Sequence, residues 1–266
     1  MNLLYVDRTD QDKQAFLSSI SYDFMSMFIG LIDGDGYIAI TKIGLDNIRM
    51  ELVLSVDIKD LKLLEHIKNV LKIGRINEYP NISTAKLIIG KVDLQEVLFP
   101  LILHYKLFFL TDTRRKQFNL CMYLLQNNIT KFSNIPSIDI IKDLFTLPKS
   151  SVGYVNLPFF YNWIVGFTIA EGSFYIKSSG EHFFSLRQRS HLALFEAFKL
   201  VFKTNRKIED DGKHIKFSVS STKDLINVVT FFSNSGLHSL LGLKADQYNA
   251  WLISLKQSNK KFTDKL

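Results

Sequence analysis

An α+β fold made of two copies of one αββαββα unit is predicted by three features of this 266-residue chain. First, "FIGLIDGDGYIAI" (28–40) has a counterpart in "WIVGFTIAEGSFYIK" (163–177). Each is an apolar helix pattern with a small residue inside, then an acid–glycine pair, then an alternating aromatic strand. Second, "SVDIKDLKLLEHIKNVLK" is matched by "SLRQRSHLALFEAFKLVFK", a strand end followed by an amphipathic helix. Third, "TRRKQFN" is matched by "LKADQYN", which sets Arg114 opposite Lys244.

Taken in order, the 3.6-residue and two-residue periods predict a helix over 22–34 and strands over 36–43 and 48–57. A helix over 60–72, strands over 74–79 and 83–89, and helices over 92–104 and 114–127 complete the first copy. The second repeats the order: helix 158–170, strands 173–179 and 182–189, helix 191–203, strands 206–210 and 214–220, and helices 222–235 and 244–256. Residues 128–157 hold or adjoin three of the five prolines and many polar residues, the character of a linker. The expected domains are therefore 1–127, the first repeat with an N-terminal extension, and 158–266, the second repeat.

Composition narrows the function. With 47% hydrophobic residues the chain can bury a proper core. Its most apolar run, "VLFPLILHYKLFFL", is broken by Pro100, His104 and Lys106, so no membrane partner is expected. The N-terminus shows no basic segment followed by an apolar one, so no secretory signal is expected either. A lone Cys121 rules out a disulfide framework and a cysteine metal site. A net charge of +7 favours a polyanionic partner. Abundant Phe, Ile, Asn, Lys and Tyr suggest an A+T-rich coding sequence, which points to an organellar genome and a location in the mitochondrion or another organelle, on the matrix side.

The first helix spends stability on two glycines, about 1 kcal/mol each against alanine, and ends on carboxylates where its dipole is already negative. Gly30 and Gly34 stand on one face, as do Gly166 and Ala170 in the second helix. Small residues on matching stripes allow two helices to meet backbone to backbone around a pseudo-twofold axis, which brings Asp35 to Glu171. At an effective dielectric of about 20, two carboxylates about 4 Å apart repel by about 4 kcal/mol. Either one takes a proton or a divalent cation binds between them. Oxygen ligands without histidine or cysteine favour Mg²⁺ over zinc.

"FIGLIDGDG" and "IVGFTIAEG" resemble the two motif copies of a monomeric LAGLIDADG homing endonuclease encoded within organellar introns. The resemblance spans 22–127 and 158–256. It implies two saddle-shaped four-stranded antiparallel sheets on double-stranded DNA, packed through the motif helices, and Mg²⁺-dependent cleavage of both strands by two or more ions. It further implies Asp35 and Glu171 as metal ligands, with the carbonyls of Gly34 and Ala170 as additional donors. Lys244 matches the family's active-site lysine and Arg114 is its repeat partner, with Arg115 and Lys116 as neighbouring candidates. Gln188 fits the family's water-positioning glutamine. Three departures stand out: Ile58 replaces that glutamine in the first half, Ile169 replaces Asp33 in the second, and Arg114 cannot act as a base at neutral pH. They predict unequal strand rates or a decayed nuclease. Because the family also contains RNA maturases, help in splicing the host intron RNA is the alternative activity.

DNA reading falls to strand residues in phase with the acids. In the first half these are Tyr37, Ala39, Thr41, Arg49, Glu51, Ser55, Arg75, Asn77, Thr84 and Lys86. In the second they are Ser173, Tyr175, Lys177, Ser185, Arg187, Lys207, Glu209, His214, Lys216 and Ser218. The intervening Ile38, Ile40, Leu52, Leu54, Leu87, Ile215, Phe217 and Val219 are expected in the core.

Overall fold

A computed structural model describes residues 10–189 and 191–258, which form two units. Asp35–Leu147 with the residues before Ser26 make the first; Ser26–Gly34 with the residues from Pro148 make the second.

In the first unit α1 (Asp10–Ser19) leads into α2 (Tyr22–Asp35), and the Tyr105 hydroxyl donates to the carbonyls of Leu17 and Ile20 at their junction. Strands β1 (Gly36–Ile43) and β2 (Asn47–Asp57) form a hairpin, with Gly44 at φ +60° allowing the turn. Next, α3 (Leu61–Leu71) buries Leu63, Leu64, Ile67 and Leu71 along one stripe. It is followed by β3 (Arg75–Tyr79) and β4 (Thr84–Gly90), giving an antiparallel sheet in the order β1-β2-β4-β3.

The single helix expected over 92–104 is instead α4 (Lys91–Asp93), a π-helical stretch over Leu94–Leu98, and α5 (Phe99–His104). Pro100 lacks an N–H and its ring crowds the carbonyl four residues back, so the wider turn accommodates it. Helix α6 (Asp112–Gln126) completes the copy. Within 128–147, Asp143 accepts from Arg115 and from Asn119 Nδ2 at 2.7 Å, which ties this part of the linker to α6.

The second unit contains α7 (Ser151–Val155), α8 (Phe160–Glu171), β5 (Gly172–Ile176), β6 (His182–Arg189), α9 (Leu192–Val201), β7 (Glu209–Asp210), β8 (His214–Val219), α10 (Thr222–Phe232) and α11 (Gly242–Ser258). Its sheet order, β5-β6-β8-β7, is that of the first. Two strands are shorter than expected. β5 stops at Ile176, where Lys177 and Gly180 close a turn with Gly180 at φ +83°. β7 keeps only Glu209 and Asp210, because Asn205, Arg206 and Lys207 supply no apolar alternation to bury.

Ser26–Gly34 packs on α8 as the glycines require. A Cβ on Gly30 would lie 2.0 Å from the Trp163 carbonyl oxygen, and one on Gly166 1.7 Å from that of Met27. On Gly34 it would lie 2.3 Å from Ala170 Cβ and 3.2 Å from Glu171 Cγ. At Gly30 and Gly166 the two helices meet backbone to backbone, at Gly34 backbone meets the Ala170 side chain, and no side chain fits at any of the three. Around α8 the core is aromatic, with Trp163 stacked on Phe167 at 4.6 Å and on Phe160 at 5.8 Å. No helix among the described residues is long and apolar enough to cross a membrane.

Candidate active site

Glu171 is the last residue of α8, half-buried, and its Oε1 accepts from Gln188 Nε2 at 2.8 Å. Gln188 in turn accepts the Arg189 N–H at 2.8 Å through Oε1, so both ends of its amide are engaged. Lys244, in the first turn of α11, donates from Nζ to the carbonyl of Gly172. One helix end, one strand end and one helix start thus gather Glu171, Gln188 and Lys244 around the Glu171–Gly172 peptide.

The first unit is furnished differently. Asp35 ends α2 and is exposed. Arg114, on α6, donates from Nη1 to Gln117 Oε1 at 3.3 Å, and the same oxygen accepts the Ile38 N–H at 3.1 Å. Arg114 therefore lies beside the start of β1, the place that Lys244 holds beside β5. Ile58 sits in a 3-10 turn with its N–H on the Ser83 carbonyl, 3.0 Å away, and offers no polar side chain. Arg115 is committed elsewhere, to Asp112 at 2.9 Å and to Asp143, with its side chain 14% exposed. Lys116 lines a surface hollow with Arg115, Asn119 and Asp143, away from the β1 strand start.

Asp33 has another role. It is buried, and its Oδ2 accepts the indole N–H of Trp163 at 2.8 Å. This carboxylate is held by the helix packing, which explains how the second helix manages with Ile169 at that place.

Most strand residues expected to face outward are exposed or half-buried: Tyr37, Thr41, Arg49, Glu51, Ser55, Arg75, Asn77 and Lys86 in one sheet, Ser173, Tyr175, Lys177, Arg187, His214 and Lys216 in the other. Two corrections fall in the second sheet. Ser185 and Ser218, opposite each other in register, are buried. Their short side chains lie below the longer neighbours Phe183, Arg187 and Lys216 on the same strands. Lys207 is exposed but precedes β7, so it lies outside the ladder. In the first sheet Ile40 is only half-buried, toward the turn of its hairpin, whereas the other residues expected in the core are buried.

Gln117 and Phe183 escaped the sequence reading. Gln117 recurs as Gln247 in the matched "TRRKQFN" and "LKADQYN", a signal that was present. Phe183 is in phase with Ser185 and Arg187, yet it stacks under Tyr175 at 5.1 Å with the Lys177 ammonium 4.0 Å over its ring.

Residues 28–124 match the family described as LAGLIDADG endonuclease. The fold is similar to the LAGLIDADG homing endonuclease I-LtrWI bound to target DNA, with 20% identity over 92% of this chain and 96% of that one and a TM-score of 0.70. It is similar to I-SmaMI bound to uncleaved DNA with calcium ions (21% identity, 89% and 92% covered, TM-score 0.68). The meganuclease I-AabMI bound to uncleaved DNA is a third likeness (20% identity, 89% and 92% covered, TM-score 0.67). The sequence over the first repeat thus matches the LAGLIDADG endonuclease family, and the fold over both repeats is similar to that of LAGLIDADG homing endonucleases.

Proposed function

We propose that the protein is a site-specific DNA endonuclease that hydrolyses one phosphodiester on each strand of a duplex. The observation that carries this reading is the Glu171 carboxylate, fixed by Gln188 with Lys244 alongside on the Gly172 carbonyl. The family match over 28–124 and the fold shared with DNA-bound endonucleases support the substrate class.

Asp35 and Glu171 are the proposed metal ligands, with the carbonyls of Gly34 and Ala170 as further donors. Among the described residues no group of three or more His, Cys, Asp or Glu could hold a metal. The proposed donors are carboxylates and carbonyls, which suit a hard cation such as Mg²⁺ that keeps waters and binds phosphate oxygens. Two or more such ions held there would supply charge neutralisation at phosphorus and help to activate a water. The chain's own residues do the rest. Gln188 holds the Glu171 carboxylate and is within reach of a water beside it. Lys244 and Arg114 offer positive charge to the scissile phosphates, Lys244 with a proton it can exchange and Arg114 as a fixed cation.

The outward faces of the sheets are proposed to contact the duplex as a monomer, in the organelle that the composition suggests. The splicing alternative has no residue-level observation of its own. A plasmid carrying the intron-insertion sequence, incubated with Mg²⁺, tests the proposal. Linearisation by the unmutated chain, and much slower linearisation by Asp35→Asn or Glu171→Gln, is expected. No cutting by the unmutated chain overturns it.

A further inference from the structure

A surface shaped for polyanions has reason to exclude carboxylates, yet the outward face of the first sheet keeps Glu51. Glu51 on β2 accepts from Arg75 Nη2 on β3 at 2.8 Å, with the acid's side chain 19% exposed and the arginine's 56%. These strands are not neighbours. β4 runs between them, where Glu51 faces Gly90 and Arg75 faces Ile88. Nothing lies within 4 Å of where a Gly90 Cβ would be, so the surface of β4 opposite Glu51 is open.

The second sheet's ion pairs are looser. Arg187 and Asp211 are 3.4 Å apart and Lys216 and Glu209 3.8 Å, each with an acid more than half exposed. Pairs of that kind contribute little. Glu51 is different because it is partly buried and close to its arginine.

We propose that Glu51 is a positioning residue that makes Arg75 a reader of guanine at one target position. The proposal rests on the DNA-cleaving reading above. An unrestrained surface arginine pairs with any phosphate and carries no sequence information. Held at one edge by a carboxylate, the planar fork keeps donors for a second planar partner at a fixed angle. In the major groove that partner is the O6 and N7 pair of guanine. The negative charge beside it also discourages Arg75 from turning to the backbone.

Selection of bound duplexes from a random library tests this, using the unmutated protein, Arg75→Lys and Glu51→Ala. The unmutated protein should enrich a motif containing a guanine that Arg75→Lys no longer selects, a loss of about five- to 150-fold at that position alone. Glu51→Ala should weaken the same position while strengthening binding to unrelated duplex. Its log–log salt dependence should steepen by about one unit, as the freed arginine takes a phosphate. An unchanged motif in Glu51→Ala, or a loss spread evenly over all positions, overturns the inference and leaves the DNA reading standing. If the unmutated protein enriches no sequence, both fall together.

Discussion

The ends of α2 and α8 carry the same acid–glycine signature and are equipped unequally. At the end of α8, Glu171 is half-buried and held by Gln188, with Lys244 on the adjoining carbonyl. At the end of α2, Asp35 is exposed, Ile58 stands in the glutamine's place, and Arg114 is braced by Gln117. The duplication preserved the scaffold and the acids. It did not preserve the glutamine and lysine that stand beside Glu171. On the proposed endonuclease reading the second half is the better-prepared centre, and the first depends more on the charge of its acid.

The largest expected effect separates shared from independent acids. Glu171→Gln should slow cleavage by on the order of 10²–10³-fold, and Asp35→Asn equally if both acids serve both strands. Strand-resolved gels read this directly; loss confined to one strand per variant would mean two independent centres. Gln188→Ala should slow one strand by about 10–100-fold, so that nicked plasmid accumulates. Ile58→Gln, the reverse exchange, should narrow the difference between strands in the same assay.

Stability effects are smaller. Trp163→Phe leaves the buried Asp33 carboxylate without its indole donor and should cost about 1–3 kcal/mol in urea unfolding. The smallest concerns His182, buried on β6 and 3.0 Å from Ser254 of α11, the helix that carries Lys244. Among the described residues no other histidine is buried. Desolvation lowers its imidazole pKa, partly offset by a backbone hydrogen bond at Gly180. The unfolded chain then binds the proton more readily, so stability is full above the ordinary imidazole value near about 6.5 and falls as pH drops through it. Urea midpoints at neutral and mildly acidic pH should show this slope, and His182→Gln should flatten it.

Repetition made the fold legible. Two weak copies of helix, acid–glycine pair and strand constrain each other, and the glycine stripe forecast the contacts of Gly30 and Gly166. Long-range pairings were harder to see. Nothing local says that Asp33 turns inward to Trp163, that Arg115 is consumed by Asp143, or that Gln117 braces Arg114. The π-helical stretch at Leu94–Leu98 follows from Pro100, which the periodicity alone overrides. Ser185 was misjudged because alternation gives the side a residue faces and not the height of its neighbours.

Cation binding by the two helix-end carboxylates is tested most directly by titrating Mn²⁺ into the protein on a duplex it has itself selected, followed by electron paramagnetic resonance. Tightly bound Mn²⁺ in the unmutated complex, lost in the Asp35→Asn, Glu171→Gln double variant while DNA affinity persists, is the predicted result. Equal Mn²⁺ uptake by both complexes would contradict the account.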